Sequence, residues 1–244
     1  MLSVTEDLNS YDTVAAISKL ERFVSEFSTW YIRRSRDRVG PAAEDDSDKQ
    51  AFYATCYEVL ATLSKLLAPI TPFIAEEIYR NLTEKESVHL EDWPEVDSKL
   101  IDNNLEEEMK VGIEVASFIN AFRKENSIKA KIPLKKMEYQ AELELSKKVA
   151  AVVMEEGNVK ELVYVAKGNT SVKGEAGEEN QDLIAGEARE IIRKIQAERK
   201  NMGTSLAEKV NVQLESWPEQ YESEIKRKAL VENLKQGEFT VTRV

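Results

Sequence analysis

A proline inside a helix removes a hydrogen-bond donor and collides with the preceding turn. Residues 67–82, LAPITPFIAEEIYRNL, place Pro69 and Pro72 between two apolar stretches. Pro69 therefore ends one helix. Thr71 and Pro72 open the next, with threonine as the cap and proline at the first helical position. Ile74, Ile78 and Leu82 recur on one face of this second helix. That spacing builds a helical corner whose two arms bury apolar stripes.

Three further helices are read in the same way. Phe52, Cys56, Val59, Leu63 and Leu66 line the arm before the corner. Upstream, Asp12 caps a long helix carrying Ile17, Leu20, Val24, Phe27 and Tyr31, which Gly40–Pro41 ends. Residues 42–49 read as an acidic surface loop. Asn103 or Asn104 caps a fourth helix with Leu105, Met109, Gly112, Ala116, Ile119 and Phe122 inward. Four amphipathic helices with short connections predict an antiparallel bundle over residues 1–125.

The pattern changes after Asn126. Residues 128–140 are extended around Pro133, residues 145–156 are helical, and VKELVYVA (159–166) is a β-branched strand. A Gly/Glu/Ser/Asn loop over 167–180 precedes a charged helix at 187–201 with Ile191, Ile192 and Ile195 apolar. A strand at 210–215, a helix at 219–234 and a closing strand at 239–244 complete residues 126–244. These form a small α+β domain with a mixed or antiparallel sheet. The fold class is thus α, then α+β. EDWPE (91–95) echoes in ESWPE (215–219), an isolated coincidence rather than a repeat.

The 244 residues are 42% hydrophobic and 32% charged, as in a globular protein without a membrane span. The first residues have neither the basic nor the apolar region of a secretory signal. The single cysteine, Cys56, sits on an apolar stripe and fits a reducing cytoplasm. One cysteine and one histidine, His89, make a poor start for a metal site or a catalytic triad, and no Gly-rich phosphate loop precedes a helix. No catalytic residue, metal or cofactor is expected in this chain. A net charge of −11 argues against coating nucleic acid non-specifically, and a 7% aromatic content disfavours a broad stacking platform.

Three local clusters run against that charge. WYIRRSRDR (30–38) sets Arg33, Arg34, Arg36 and Arg38 against Asp37, with Trp30 one helical turn from Arg33 and Arg34. Arginine forks suit phosphates and base edges, and an indole offers a stacking face. The alternative is a helix C-terminus whose arginines favour the macrodipole, with Arg33–Asp37 as a surface pair. RKENSIKAKIPLKK (123–136) holds six basic residues against one acid, among them Arg123, Lys124, Lys129 and Lys131. It is either a phosphate anchor or a solvated connector. The charges of 189–200 alternate in sign, as on a salt-bridged exposed face. Around the corner, Thr71, Pro72, Phe73, Glu76 and Glu77 read as structural, and Trp93 as packed against the bundle with Pro94 stiffening its exit.

LAPITPFIAEEIYRNL and the downstream SVHLEDWPEVD (87–97) resemble the anticodon-binding region of class I aminoacyl-tRNA synthetases for branched aliphatic amino acids, with Tyr79 where many relatives carry Trp. WYIRRSRDR resembles the isoleucyl-type signature on the first bundle helix. IKAKIPL (128–134) resembles the isoleucyl-type junction, with Lys131 where Arg is usual. EAREIIRKIQAERKNMGTSLAEKVNVQLE (187–215) is similar to the isoleucyl C-terminal module. Together these cover most of the chain in the family's order.

The resemblance implies a C-terminal fragment of an isoleucyl-tRNA synthetase. It implies binding of isoleucine tRNA through Trp30, Arg33, Arg34, Arg36, Arg38, Arg123, Lys124, Lys129 and Lys131. ATP, magnesium and the ligase reaction would belong to a catalytic domain whose motifs this chain lacks, so the chain alone is expected to be inactive. The family's editing domain and cysteine-rich zinc segment are also missing. A cytoplasmic monomer without membrane or metal is expected. The rival readings are the same region of a valyl- or leucyl-tRNA synthetase, and a protein-interaction or structural module.

Overall fold

The computed structural model describes residues 1–43 and 45–244. Glu44, within the expected acidic loop, lies outside the described residues. The chain divides into two compact units, Met1–Ile101 and Asp102–Val244.

The first unit is helical: α1 Leu2–Asn9, α2 Thr13–Glu26, a π-helical turn Phe27–Ile32, α3 Arg36–Val39, α4 Asp46–Leu67 and α5 Pro72–Thr83, with short 3-10 turns after them at Val88–Leu90 and Ser98–Leu100. Val4, Ala16, Leu20, Leu63 and Leu66 form one core cluster, and Ala75, Tyr79 and Val88 another. Sequence reasoning passes over α1 because Val4 is its one buried residue, too little for an apolar stripe.

Asp12 caps α2 as predicted, its Oδ1 accepting from the Ala15 amide at 3.0 Å. The long helix does not run uninterrupted to Gly40. A π turn closes i→i+5 bonds and so inserts one residue, rotating the downstream residues by about 100°. Upstream of it, the buried face of α2 is Ala16 and Leu20, while Ile17 and Val24 are exposed. Phe23, Phe27 and Tyr31 stack on one another at centroid distances of 6.0 and 5.4 Å. Phe52 of α4 continues the column 5.8 Å from Tyr31.

The corner forms where the prolines place it. Thr71 does not cap through its side chain; its amide bonds to the Leu67 carbonyl at 2.8 Å and its hydroxyl leans back toward the same oxygen. The buried face of α5 is Ala75 and Tyr79, not Ile74, and Phe73 is 91% exposed. Glu76 ties α5 to the next turn by accepting from the Val88 amide and the Ser87 hydroxyl, each at 2.9 Å. Trp93 donates its indole N–H to the Thr5 hydroxyl at 3.0 Å.

The second unit begins with α6 Asn103–Glu125, capped by Asp102 rather than by either asparagine after it. Then come β1 Leu134–Ala141, α7 Lys147–Gly157, β2 Val159–Lys167 and β3 Ser171–Lys173. The chain continues through α8 Leu183–Asn201, β4 Val210–Leu214, α9 Glu222–Ala229, β5 Val231–Gln236 and β6 Thr240–Arg243. The helices-then-α+β layout agrees with the sequence reading. Where the sequence predicts one sheet, two form, in the orders β2-β1-β3 and β5-β4-β6, each mixed. The helix predicted over 219–234 stops at Ala229, because Leu230 adopts a left-handed conformation (φ 54°) and Val231 opens a strand.

The two sheets are copies of one arrangement. In each, a helix leads to a central strand. A second helix then crosses to a parallel edge strand, and a third strand pairs antiparallel on the other side. The details match as well. Leu134 N–H donates to Asn158 C=O, and Val210 N–H to Leu230 C=O, both at 3.0 Å. Asn158 and Leu230 are both left-handed caps. After the leading helices, Ile128 and Thr204 bond back to the carbonyls of Arg123 and Arg199, past left-handed Ser127 and Gly203. The sequence carries the same trace, INAFRK (119–124) against IQAERK (195–200).

Candidate nucleic-acid interface

The expected contact residues fall into two groups, one in each unit. In the first unit they run from the π turn through Arg33 and Arg34 into the short helix α3. The Arg34 guanidinium lies over the Trp30 ring at 5.3 Å, a cation–π arrangement in which both side chains are half-buried. Arg33 Nε donates to the Thr29 carbonyl at 2.7 Å, inside the π turn, which fixes the start of its fork. Arg36 is exposed. These side chains form an aromatic–arginine surface on a backbone irregularity of the kind that recurs at functional sites.

Arg38 is held differently. Its Nε and Nη2 grip the two carboxylate oxygens of Asp48 at 2.7 and 2.6 Å, and its guanidinium lies 5.9 Å from the centre of the Phe52 ring. The hydrogen bond with Asp48 raises Arg38 above its ordinary pKa and lowers that of Asp48. A bidentate clamp tying α3 to α4 describes Arg38 better than a contact waiting for a phosphate. Asp45, which caps α4 by accepting from the Ser47 and Asp48 amides, holds the clamp's acidic partner in place.

In the second unit, Arg123 departs from the expectation. It is 3% exposed, and its guanidinium donates to the carbonyls of Gly157, Lys129, Ile132 and Asn158. Burial lowers its pKa to about 10, which leaves it charged at neutral pH. A side chain so enclosed cannot reach a ligand; its part is to fasten the leading helix to the α7–β2 junction. Lys131 pairs with Glu190 of α8, whose carboxylate is held down to about 2 by Lys131 and then Arg193. Lys124 and Lys129 are exposed.

Sequence reasoning misses Arg199, the counterpart of Arg123. It is 8% exposed and donates to the carbonyls of Ala229, Ser205, Leu206 and Glu208. The repeated Ile-x-Ala-x-Arg-Lys string is the signal that could have found it. Among the described residues no group of His, Cys, Asp and Glu is arranged to hold a metal ion. Nor, among them, is any helix long and apolar enough to cross a membrane.

A helical unit with an aromatic–arginine turn is thus followed by an α+β unit, and comparison with known proteins gives the family. The profile described as the anticodon-binding domain of tRNA ligase matches residues 2–138, and the chain belongs to that family. Its curated relatives include the isoleucine–tRNA ligase of Dehalococcoides mccartyi (strain CBDB1), 37% identical over 235 residues, which is 86% of this chain and 23% of the relative. The isoleucine–tRNA ligase of Thermus thermophilus is 40% identical over 176 residues, 68% of this chain and 17% of the relative. That of Chlamydia trachomatis serovar L2 is 38% identical over 168 residues, 66% and 16%. The chain thus spans less than a quarter of the length of these relatives.

Proposed function

We propose that this chain binds the anticodon stem-loop of isoleucine tRNA as the RNA-gripping part of an isoleucine–tRNA ligase. ATP, magnesium and the joining of amino acid to tRNA would then be the work of sequence beyond this chain. The observation that carries the reading is the Trp30–Arg34 stack on the π turn, flanked by Arg33 and Arg36, within the segment matched to the anticodon-binding family. An indole offers a face on which an unstacked base can lie, and arginine forks take phosphates bidentately.

The contacts proposed are Trp30, Arg33, Arg34 and Arg36 in the first unit and Lys124 and Lys129 in the second. Arg38, Arg123 and Lys131 support these positions through their clamps and ion pairs. The test is filter binding of isoleucine tRNA, with valine and leucine tRNAs as competitors. The Arg33→Ala plus Arg34→Ala variant is expected to bind at least about ten times more weakly, with a salt slope shallower by about 1 for each phosphate no longer neutralised. Undiminished binding by that variant overturns the site. Equal preference for the three tRNAs overturns isoleucine selectivity in this chain.

A further inference from the structure

The charged helix α8, whose alternating signs resemble an ordinary solvated face, presents its cations in an uneven way. At about 100° per residue, Arg189, Arg193, Ala197 and Lys200 fall on one side, opposite Ile191, Ile195 and Ala188, which face the core. Glu187 and Glu198 lie on other faces, and Glu190 alone among the acids of α8 borders the stripe. Arg193 and Lys200 are about two helical turns apart, roughly 10 Å. The side chain of Arg193 is 77% exposed.

The stripe continues into the basic junction before β1. Arg189 Nη1 donates to the Lys131 carbonyl at 3.1 Å, and Glu190 bridges Lys131 and Arg193. One basic surface therefore runs within the second unit from Lys129 and Lys131 across to Lys200.

The duplicated architecture separates what the fold needs from what has been added. At the positions of Arg189, Arg193, Ala197 and Lys200, the first copy carries Ile113, Ser117, Ala121 and Lys124. The same helix in the same module thus forms without the two arginines. Glu190 already has Lys131, so a second, exposed partner three residues on contributes little stability. Folding does not account for Arg193.

We propose that the exposed face of α8 is a second nucleic-acid contact, in which Arg193 and Lys200, continuous with the Lys129–Lys131 junction, take phosphates of the tRNA backbone. This rests on the tRNA-binding reading of the first unit. A positive stripe in a chain of net charge −11 suits an anionic backbone, and a stripe made of arginine, lysine and alanine without an aromatic side chain suits phosphates rather than bases.

The experiment is filter binding of isoleucine tRNA by the 244-residue chain across a salt series. It compares wild type, Arg193→Ala plus Lys200→Ala, and a control pair, Lys147→Ala plus Lys148→Ala, which removes two exposed cations from α7. The first pair is expected to weaken binding about ten-fold and to flatten the log–log salt slope by about 1.5, with the melting temperature unchanged. The control pair is expected to do neither. Wild-type binding that survives the Arg193/Lys200 change overturns the α8 contact and leaves the tRNA reading standing. Equal losses in both pairs reduce the effect to net charge and also overturn it. No binding by wild type at low salt overturns both readings.

Discussion

Arg199 repeats Arg123. Each is the buried arginine near the end of the helix that leads into a three-stranded sheet. Each donates to the carbonyl of the last residue of its crossover helix, Gly157 for Arg123 and Ala229 for Arg199, at 3.0 Å. Each also reaches the loop before the central strand, at Ile132 (2.9 Å) and Glu208 (2.6 Å). One guanidinium in each copy thus fastens its leading helix to the end of the crossover helix and to the loop before the central strand.

Such a clasp predicts a matched pair of defects. Arg123→Met and Arg199→Met each remove a buried cation together with donors for four carbonyls. Each is expected to cost about 2–4 kcal/mol, measured by urea denaturation. Lysine recovers little in either place, because one ammonium cannot span the fork of acceptors. Full stability in either methionine variant would mean that water, not arginine, can satisfy those carbonyls.

Gly112 makes a second prediction, about the packing of α6 on α7. A Cβ there would come within 2.9 Å of Val149 Cγ1 and 3.2 Å of Val153 Cγ2. Valine is stiff at χ1 and cannot swing aside cheaply. Gly112→Ala therefore sets a helix-propensity gain of about 1 kcal/mol against overpacking of about 1–3 kcal/mol. A net decrease in stability is expected, and a larger one for Gly112→Leu. A rise in melting temperature for Gly112→Ala would show that the two helices can separate freely.

These particulars show what the sequence makes legible. Pro69 and Pro72 fix the helical corner because their backbone chemistry acts locally, whatever surrounds them. The strands at 159–166 and 210–215 are readable for the same reason. The π turn at Phe27–Ile32 is not, since FSTWYI differs from an ordinary helical string by nothing that local propensity registers. The buried face of α2 is a separate matter, since Ile17 and Val24 lie upstream of the π turn and are exposed while Ala16 and Leu20 turn inward. The boundary between α9 and β5 is hidden because leucine rarely adopts the left-handed conformation that Leu230 takes there. In the candidate site, Trp30 and Arg34 meet as helical spacing requires. Arg38 and Arg123 look like their basic neighbours in sequence, and only Asp48 and the carbonyls around Arg123 reveal them as fasteners.

Acid should loosen the first unit at an identifiable place. Glu91 lies between Lys65, at 2.9 Å, and Lys85, at 3.0 Å, and these partners hold its carboxylate down to about 2. A depressed folded-state pKa contributes stability above the unfolded value near 4.5 and loses it as pH falls toward 2. Glu91→Gln is therefore expected to be less stable than wild type at neutral pH, with the gap closing between about pH 4.5 and 2. A gap that stays constant across that range would show that the ion pairs contribute nothing and that the glutamine simply packs poorly.

Trp30 offers the sharpest separation of binding from folding. It is half-buried, and its ring supports Arg34 by an interaction that is modest at partly exposed sites, about 0.5–1 kcal/mol. Trp30→Ala should therefore lose little from the cation–π contact but some packing from truncating a partly buried indole, a loss read separately by urea denaturation. If a base stacks on the indole as proposed, the same change should weaken tRNA binding by about 1–3 kcal/mol, while Trp30→Phe retains part of the affinity. Because Arg34 rests on the ring, Trp30→Ala and Arg34→Ala should be non-additive in binding, and a double-mutant cycle should return a clear coupling. Strict additivity would mean that the two side chains act on the RNA independently. An unchanged affinity in Trp30→Ala would reassign the indole to packing and leave the arginines that follow the π turn to hold the RNA alone.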